Sequence, residues 1–320
     1  MQKLYIIGNG FDIAHGLKTS YWDFRQYLEK NYPDFLQEFE DLYNIDWIDF
    51  SDYRISDNGI NRWEESIKQR LWSEFETRIG SPNIPGMLSR SNSVLEDMEL
   101  DSGLIGIKDT MDSYWRNQYG FIEEFEQYIR EWAESINTRN IKPKSKKLIR
   151  STDYFLNFNY TDVLESVYKI NDVLHVHGGV STVTDIWPIM GHSNYKDIED
   201  YQWLAREAQE RFDEGEASID KAIASYLETI YKDTSAIISS HQSYWNQIKN
   251  VDTVIIFGWS AGEADLPYLK VISDSVKKSA RWFIYYYDKT SYKSLRKAIQ
   301  DEGIEEKYKV DYILSSEFWD

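Results

Sequence analysis

Four short stretches of this chain carry residue types and spacings that could do chemistry. The first is Gly8-Asn9-Gly10-Phe11-Asp12-Ile13-Ala14-His15-Gly16. Glycines between an apolar run and a helix let backbone approach a ligand closely. The helix N-terminus then offers free N–H groups and a positive dipole to phosphate. The alternative is a plain tight turn, which needs the same glycines. A dinucleotide fingerprint of the dehydrogenase type wants a third glycine where Ile13 stands, which argues against hydride transfer.

The second stretch is Asn157-Phe158-Asn159-Tyr160-Thr161-Asp162. It follows an apolar run and so falls where ligands bind in open parallel sheets, beyond a strand's carboxyl end. Helix capping by Thr161 or Asp162 explains one of these residues and leaves Asn157 and Asn159 without a reason. The third is His175-Val176-His177-Gly178-Gly179. Two His two residues apart on a strand share a face and could pair on a metal, but a metal wants further ligands and the chain has no Cys. No metal is expected. His177, before a glycine pair, is better read as a partly exposed acid or base, since its ordinary pKa near ~6.5 suits that work. For His175 a hydrogen-bonded core residue is the alternative.

The fourth stretch, Phe257-Gly258-Trp259-Ser260-Ala261-Gly262-Glu263-Ala264-Asp265, repeats the strand–glycine–helix arrangement. It could supply a second phosphate or ribose contact. Gly258 to Gly262 also fits the G-x-S-x-G pattern of serine hydrolases. That enzyme order places His after Ser, and here no histidine follows His241, so a Ser260 nucleophile is disfavoured.

The elements that must position these stretches alternate. Leu4–Ile7 is a short apolar run and reads as a buried strand, with a helix from Phe11 to Leu17 and another opening at Thr19–Phe24. Further strands are expected at Tyr154–Phe158, Val173–Val176, Thr253–Gly258 and Trp282–Tyr287, with weaker ones at Ile186–Met190 and Val310–Leu314. Helices Asp162–Ile170 and Ala264–Ser279 lie between them. Such alternation implies an α/β fold with a parallel, Rossmann-like sheet covered on both faces. Residues 1–20, 150–196 and 250–320 form that nucleotide-binding core. Residues 21–149 read as a large helical insertion with a loop at 80–92, and 197–249 as a second one.

Composition narrows the functions. With 54 acidic against 36 basic residues the net charge is −18, which repels phosphate backbones, so nucleic acid is not an expected partner. No cysteine means no disulfide, no thiolate zinc site and no cysteine nucleophile. No apolar stretch approaches the ~20 residues that span a bilayer, and the start lacks a signal-peptide pattern, so the chain reads as cytoplasmic with no membrane partner. The 16% aromatic content argues for a folded core despite the acidity.

Together the stretches Tyr5–Leu17, Asn157–Thr161, His175–Gly178 and Gly258–Ser260 resemble, in order, the AbiH family of bacterial abortive-infection proteins. They are more distantly similar to sirtuin-like NAD-binding domains. That similarity implies NAD as ligand or substrate, with Gly8, Asn9, Gly10, Phe11, Asp12 and His15 forming the cofactor turn. It adds Asp23 and Arg25 from a downstream Asp-Phe-Arg, then Asn157 and Tyr160, and Gly258 with Ser260 as a later contact. Asn159 resembles the ribose- or water-orienting asparagine, and His177 the catalytic histidine. Asp288, after the strand ending at Tyr287, is expected at the adenosine ribose, as acids after strands are in related folds. The acid that normally follows the asparagine by two residues is Thr161 here, and the zinc module of deacylases cannot form without cysteine.

The resemblance therefore implies a phage-defence protein that cleaves NAD, or a sensor that binds a nucleotide without turnover. The insertions are open to three uses: a lid, a surface for a phage or host trigger protein, or a homo-oligomer interface.

Overall fold

The computed structural model describes residues 2–45, 57–90, 93–94, 107–145, 152–180 and 182–319. The chain divides into two compact units. The first holds Met1–Phe24, Ile129–Ile189 and Asp233–Asp320, and the second holds Arg25–Tyr128 and Met190–Lys232.

The first unit is built on six parallel strands: β1 Lys3–Ile7, β2 Tyr154–Asn157, β3 Leu174–His175, β4 Thr253–Phe257, β5 Arg281–Tyr286 and β6 Lys309–Leu314. Their order is β3-β2-β1-β4-β5-β6, the doubly wound order of the Rossmann fold. Alternate side chains divide between the faces, as the period of a strand demands. Leu4, Ile6, Leu156, Val254, Ile256, Trp282 and Ile284 enter one core with helix Leu266–Ser275. Tyr5, Ile7, Phe155, Ile255 and Phe257 enter the other with Phe11, Val163, Leu164 and Phe318. Burial on both faces is why β1 and β4 read as unbroken apolar runs.

Register aligns the ends of the strands. Ile7 pairs with Asn157 on one side and Phe257 on the other, Asn157 pairs with His175, and Phe257 pairs with Tyr285. The strand ends therefore form one row, and the chain leaves β1, β2, β3 and β4 at the same edge.

Several expected boundaries shift. The first helix is Asn9–Ala14, ended by Gly16 at φ +81°, where Leu17 N–H reaches Asp12 O at 3.1 Å. The expected helix Asp162–Ile170 shortens to Val163–Ser166, with Asp162 at its N-cap position. Ile186–Met190 is not a strand. Pro188 has no N–H for a ladder, and the segment meets the turn after β3 through Ile189 N–H to His177 O and Gly179 N–H to Ile186 O. Within the expected loop at 80–92, residues 84–90 are helical, started by Asn83 accepting from Gly86 N–H at 3.1 Å. Among the described residues no helix is long and apolar enough to cross a membrane.

The second unit is helical: Pro33–Asp41, Asp57–Arg70, Phe75–Arg78, Ile107–Tyr119, Tyr195–Glu210 and Glu214–Thr229. The two expected insertions thus contribute to one body. Helices Thr234–Ser240 and Gln242–Gln247, expected in the second insertion, belong with the sheet. Aromatic rings fill the helical unit's centre: Trp72 stacks on Phe75 at 4.6 Å, and Phe39 stacks on Phe125 at 5.7 Å. Much of the unusual aromatic content is therefore core.

Candidate functional site

The turns after β1 and β4 touch backbone to backbone. Gly8 N–H donates to Phe257 O at 3.0 Å and Gly10 N–H to Gly258 O at 2.8 Å. A Cβ on Gly8 would lie 2.5 Å from Trp259 Cα, and one on Gly10 2.6 Å from Gly258 Cα. Gly258 itself has φ +68° and presses on Phe11 N, which a Cβ would meet at 2.4 Å. All three glycines are thus required by the close approach of two turns. The amides of Gly8 and Gly10, expected on phosphate, are spent inside the fold. Asn9, half-buried, accepts from Thr19 Oγ1, and Ser260 is exposed.

The turn after β2 joins this pair through Asp12. Both oxygens of this buried carboxyl are held: Asn159 Nδ2 donates to Oδ1 at 3.0 Å and Thr161 Oγ1 to Oδ2 at 2.6 Å. Asn159 also donates to Gly8 O at 3.2 Å, while its own N–H donates to Asn157 Oδ1 at 3.1 Å. Burial pushes the Asp12 pKa up to about 7, against the pull of the Thr161 and Asn159 hydrogen bonds and the nearby His175. Thr161, standing where the resemblance wants an acid, is the residue that fastens one.

The two histidines take different partners. His175 ends β3 and is buried, with Nδ1 3.0 Å from Asn159 O and Nε2 2.8 Å from Glu165 Oε1. His177 lies beyond the strand, so the shared face expected for a pair on one strand is not formed. Its Nε2 stands 3.4 Å from Asp265 Oδ1, and Asp265 Oδ2 accepts from Trp259 Nε1 at 3.2 Å. Phe158 and Tyr268 meet the His177 ring edge-on at 5.2 and 5.7 Å between centroids. His177 is 3% exposed, against the expectation of a partly exposed group. Among the described residues no three metal-ligating side chains gather.

The four stretches thereby close into one network along the sheet's carboxyl edge. Asp12 links the first to the second, His175 links the second to the third, and His177 with Asp265 links the third to the fourth. The Gly8, Gly10 and Gly258 contacts return the fourth to the first.

Other expected contacts lie elsewhere. His15 bonds Phe11 O at 2.7 Å and Tyr168 Oη at 2.8 Å, with burial lowering its pKa. Phe11 is buried edge-on to Phe257. Tyr160 donates to Ile189 O at 3.0 Å. Asp23 forms a capping box with Ser20 at the start of helix Tyr21–Asn31. Arg25 belongs to the helical unit, where its guanidinium holds buried Glu40 at 2.9 Å and Glu29 at 3.1 Å. Asp288 caps helix Lys289–Asp301 by accepting from Ser291 N–H at 2.8 Å, which lowers its pKa.

Sequence reading missed Asp265 and Glu165 as partners of the histidines. Each sits at a helix start or in a short helix, where an acid normally reads as a dipole or solvent-facing residue. Their role depends on what stands opposite, which spacing does not carry.

Neither the curated proteins nor the solved structures contain a match to this chain. Residues 4–286 match the family model for bacteriophage abortive infection AbiH, a span that runs from β1 through β5 and includes all four linked stretches. The chain belongs to the bacteriophage abortive infection AbiH family, and membership carries a role in phage abortive infection.

Proposed function

We propose that this protein acts in abortive infection by binding NAD outside the carboxyl edge of its sheet and hydrolysing the nicotinamide–ribose bond. One observation supports this above the others. The β3-β2-β1-β4-β5-β6 order sets the turns after β1 and β4 side by side at the switch point, where nucleotides bind in such sheets. The buried acid–amide and His–acid pairs stand on that same edge.

In this reading the bond from ribose C1′ to nicotinamide breaks through an oxocarbenium-like state, and nicotinamide leaves as a neutral base with the electron pair. Water bonds to C1′ and gives its proton to His177. Asp265 holds the imidazolium that forms, and Trp259 fixes Asp265 in turn. Asn159 orients the water or ribose, and Asp12 holds Asn159 in place through the bond to its side-chain amide. Since the amides of Gly8 and Gly10 are engaged and Asn9 Oδ1 accepts from Thr19, the exposed Ser260 and Asn9 Nδ2 are assigned to the diphosphate in this reading.

The test is incubation of the full chain with NAD and chromatography for nicotinamide and ADP-ribose, with His177→Ala alongside. Turnover by the wild type and its loss in the variant are expected; equal turnover by both removes His177 from the mechanism. A second reading, a nucleotide sensor without turnover, is favoured by one fact: Asp12 and Asn159 satisfy one another. NAD that stays intact yet raises Tm would select it.

A further inference from the structure

Phe212 breaks two rules at once. It lies in the three-residue connection between helices Tyr195–Glu210 and Glu214–Thr229, at φ +60°, and is 91% exposed. The connection is a Schellman-type stop: Phe212 N–H reaches Gln209 O at 3.1 Å and Asp213 N–H reaches Ala208 O at 2.9 Å. The left-handed position of that stop belongs to Gly, or sometimes Asn, because a Cβ there meets the following carbonyl. A bulky aromatic is strained in it, and this one recovers almost nothing by burial. Strain at an exposed aromatic points to a use outside the fold.

The surroundings state the partner's chemistry. Residues 207–216 hold five acids, Glu207, Glu210, Asp213, Glu214 and Glu216, against one base, Arg211. All five are exposed, and Arg211 is occupied by Glu216 at 2.9 Å. Nearby Asp220 has its pKa raised to about 6, first by burial and then by Glu216, with Asp213 adding to the effect. A second copy of this chain, with a net charge of −18, would bring like charge to such a tip.

We infer that the Phe212 tip is a docking knob for a protein partner that presents an apolar pocket ringed by basic side chains. Aromatic anchors seated in pockets dominate binding energy, while the charged rim steers encounter and rejects wrong partners. The inference rests on the abortive-infection role and is independent of whether NAD is cleaved.

Phe212→Gly gives the test its edge, because it separates fold from docking. Glycine suits the left-handed position, so Tm should hold or rise by about 2 °C. Phage protection in cells should fall about tenfold or more, as for loss of an anchor residue, and Phe212→Trp should retain it. Glu207→Lys with Glu210→Lys neutralises the rim at a helix C-terminus, where lysine suits the dipole, and should also lower protection. Full protection by Phe212→Gly would overturn the proposal. So would a lowered Tm, which would make Phe212 a packing residue. Unchanged protection by the lysine pair would overturn a basic partner. A wild-type dimer that Phe212→Gly dissociates would give the knob to a second copy instead.

Discussion

The side-chain amide of Asn159 donates to Asp12 Oδ1 at 3.0 Å, fastening the turn after β2 to the turn after β1 across 147 positions of sequence. Two residues that each looked like ligand contacts thus contact one another first. A buried acid held this way is both a strut and a titrating group, and the two roles give measurable signatures.

Asp12 should make the protein less stable as pH rises. Its native pKa is about 7 against an ordinary 3.8. Between these values the unfolded chain loses the proton and the native chain keeps it, so its stabilising effect is complete below about pH 4 and gone above about pH 7. The loss is on the order of 4 kcal/mol. Asp12→Asn can still accept from Asn159 and donate to Thr161 Oγ, so it should fold and lack this slope. Urea unfolding of both proteins at pH 4.5 and 7.5 measures the difference; parallel pH dependences would remove Asp12 as the source.

Gly258→Ala should cost roughly 2–4 kcal/mol. The new Cβ would stand 2.4 Å from Phe11 N at a φ of +68°, forcing apart the turns that Gly10 N–H and Gly258 O join. Thermal unfolding reads the loss. A variant as stable as wild type would mean the turns tolerate separation and the glycine serves another purpose.

Asp265→Asn should lower NAD turnover about 10²–10⁴-fold while leaving the fold intact. The asparagine can still accept from Trp259, but it lacks the negative charge that would stabilise an imidazolium at His177, whose Nε2 lies 3.4 Å from Asp265 Oδ1. Turnover that follows His177→Ala but ignores Asp265→Asn would keep the histidine and discard its partner.

Arg25→Ala should destabilise the protein by about 3–5 kcal/mol, the cost of leaving a buried charge without its partner. Glu40 would keep Trp72 Nε1, 2.7 Å away, and lose the guanidinium. Denaturant unfolding tests this. A near-neutral effect, with NAD affinity falling instead, would return Arg25 to the cofactor site that the Asp-Phe-Arg resemblance implies.

The six strands of the sheet and the family were legible in the sequence, whereas the strand expected at Ile186–Met190 did not form. Leu4–Ile7 and Val254–Phe257 are apolar throughout because strands buried on both faces must be, and that pattern is local. Gly8, Gly10 and Gly258 are equally legible, since only glycine meets such backbone demands, and the four stretches led to AbiH. Tertiary structure decided what those residues touch. The sheet order turned Gly8 and Gly10 toward Gly258, the register put Asn157 beside Ile7, and packing gave Asp12 to Asn159 and Asp265 to His177. It also merged two separate stretches of helix into one unit. Such partnerships depend on which surfaces the whole chain buries together, and no spacing along the chain records that.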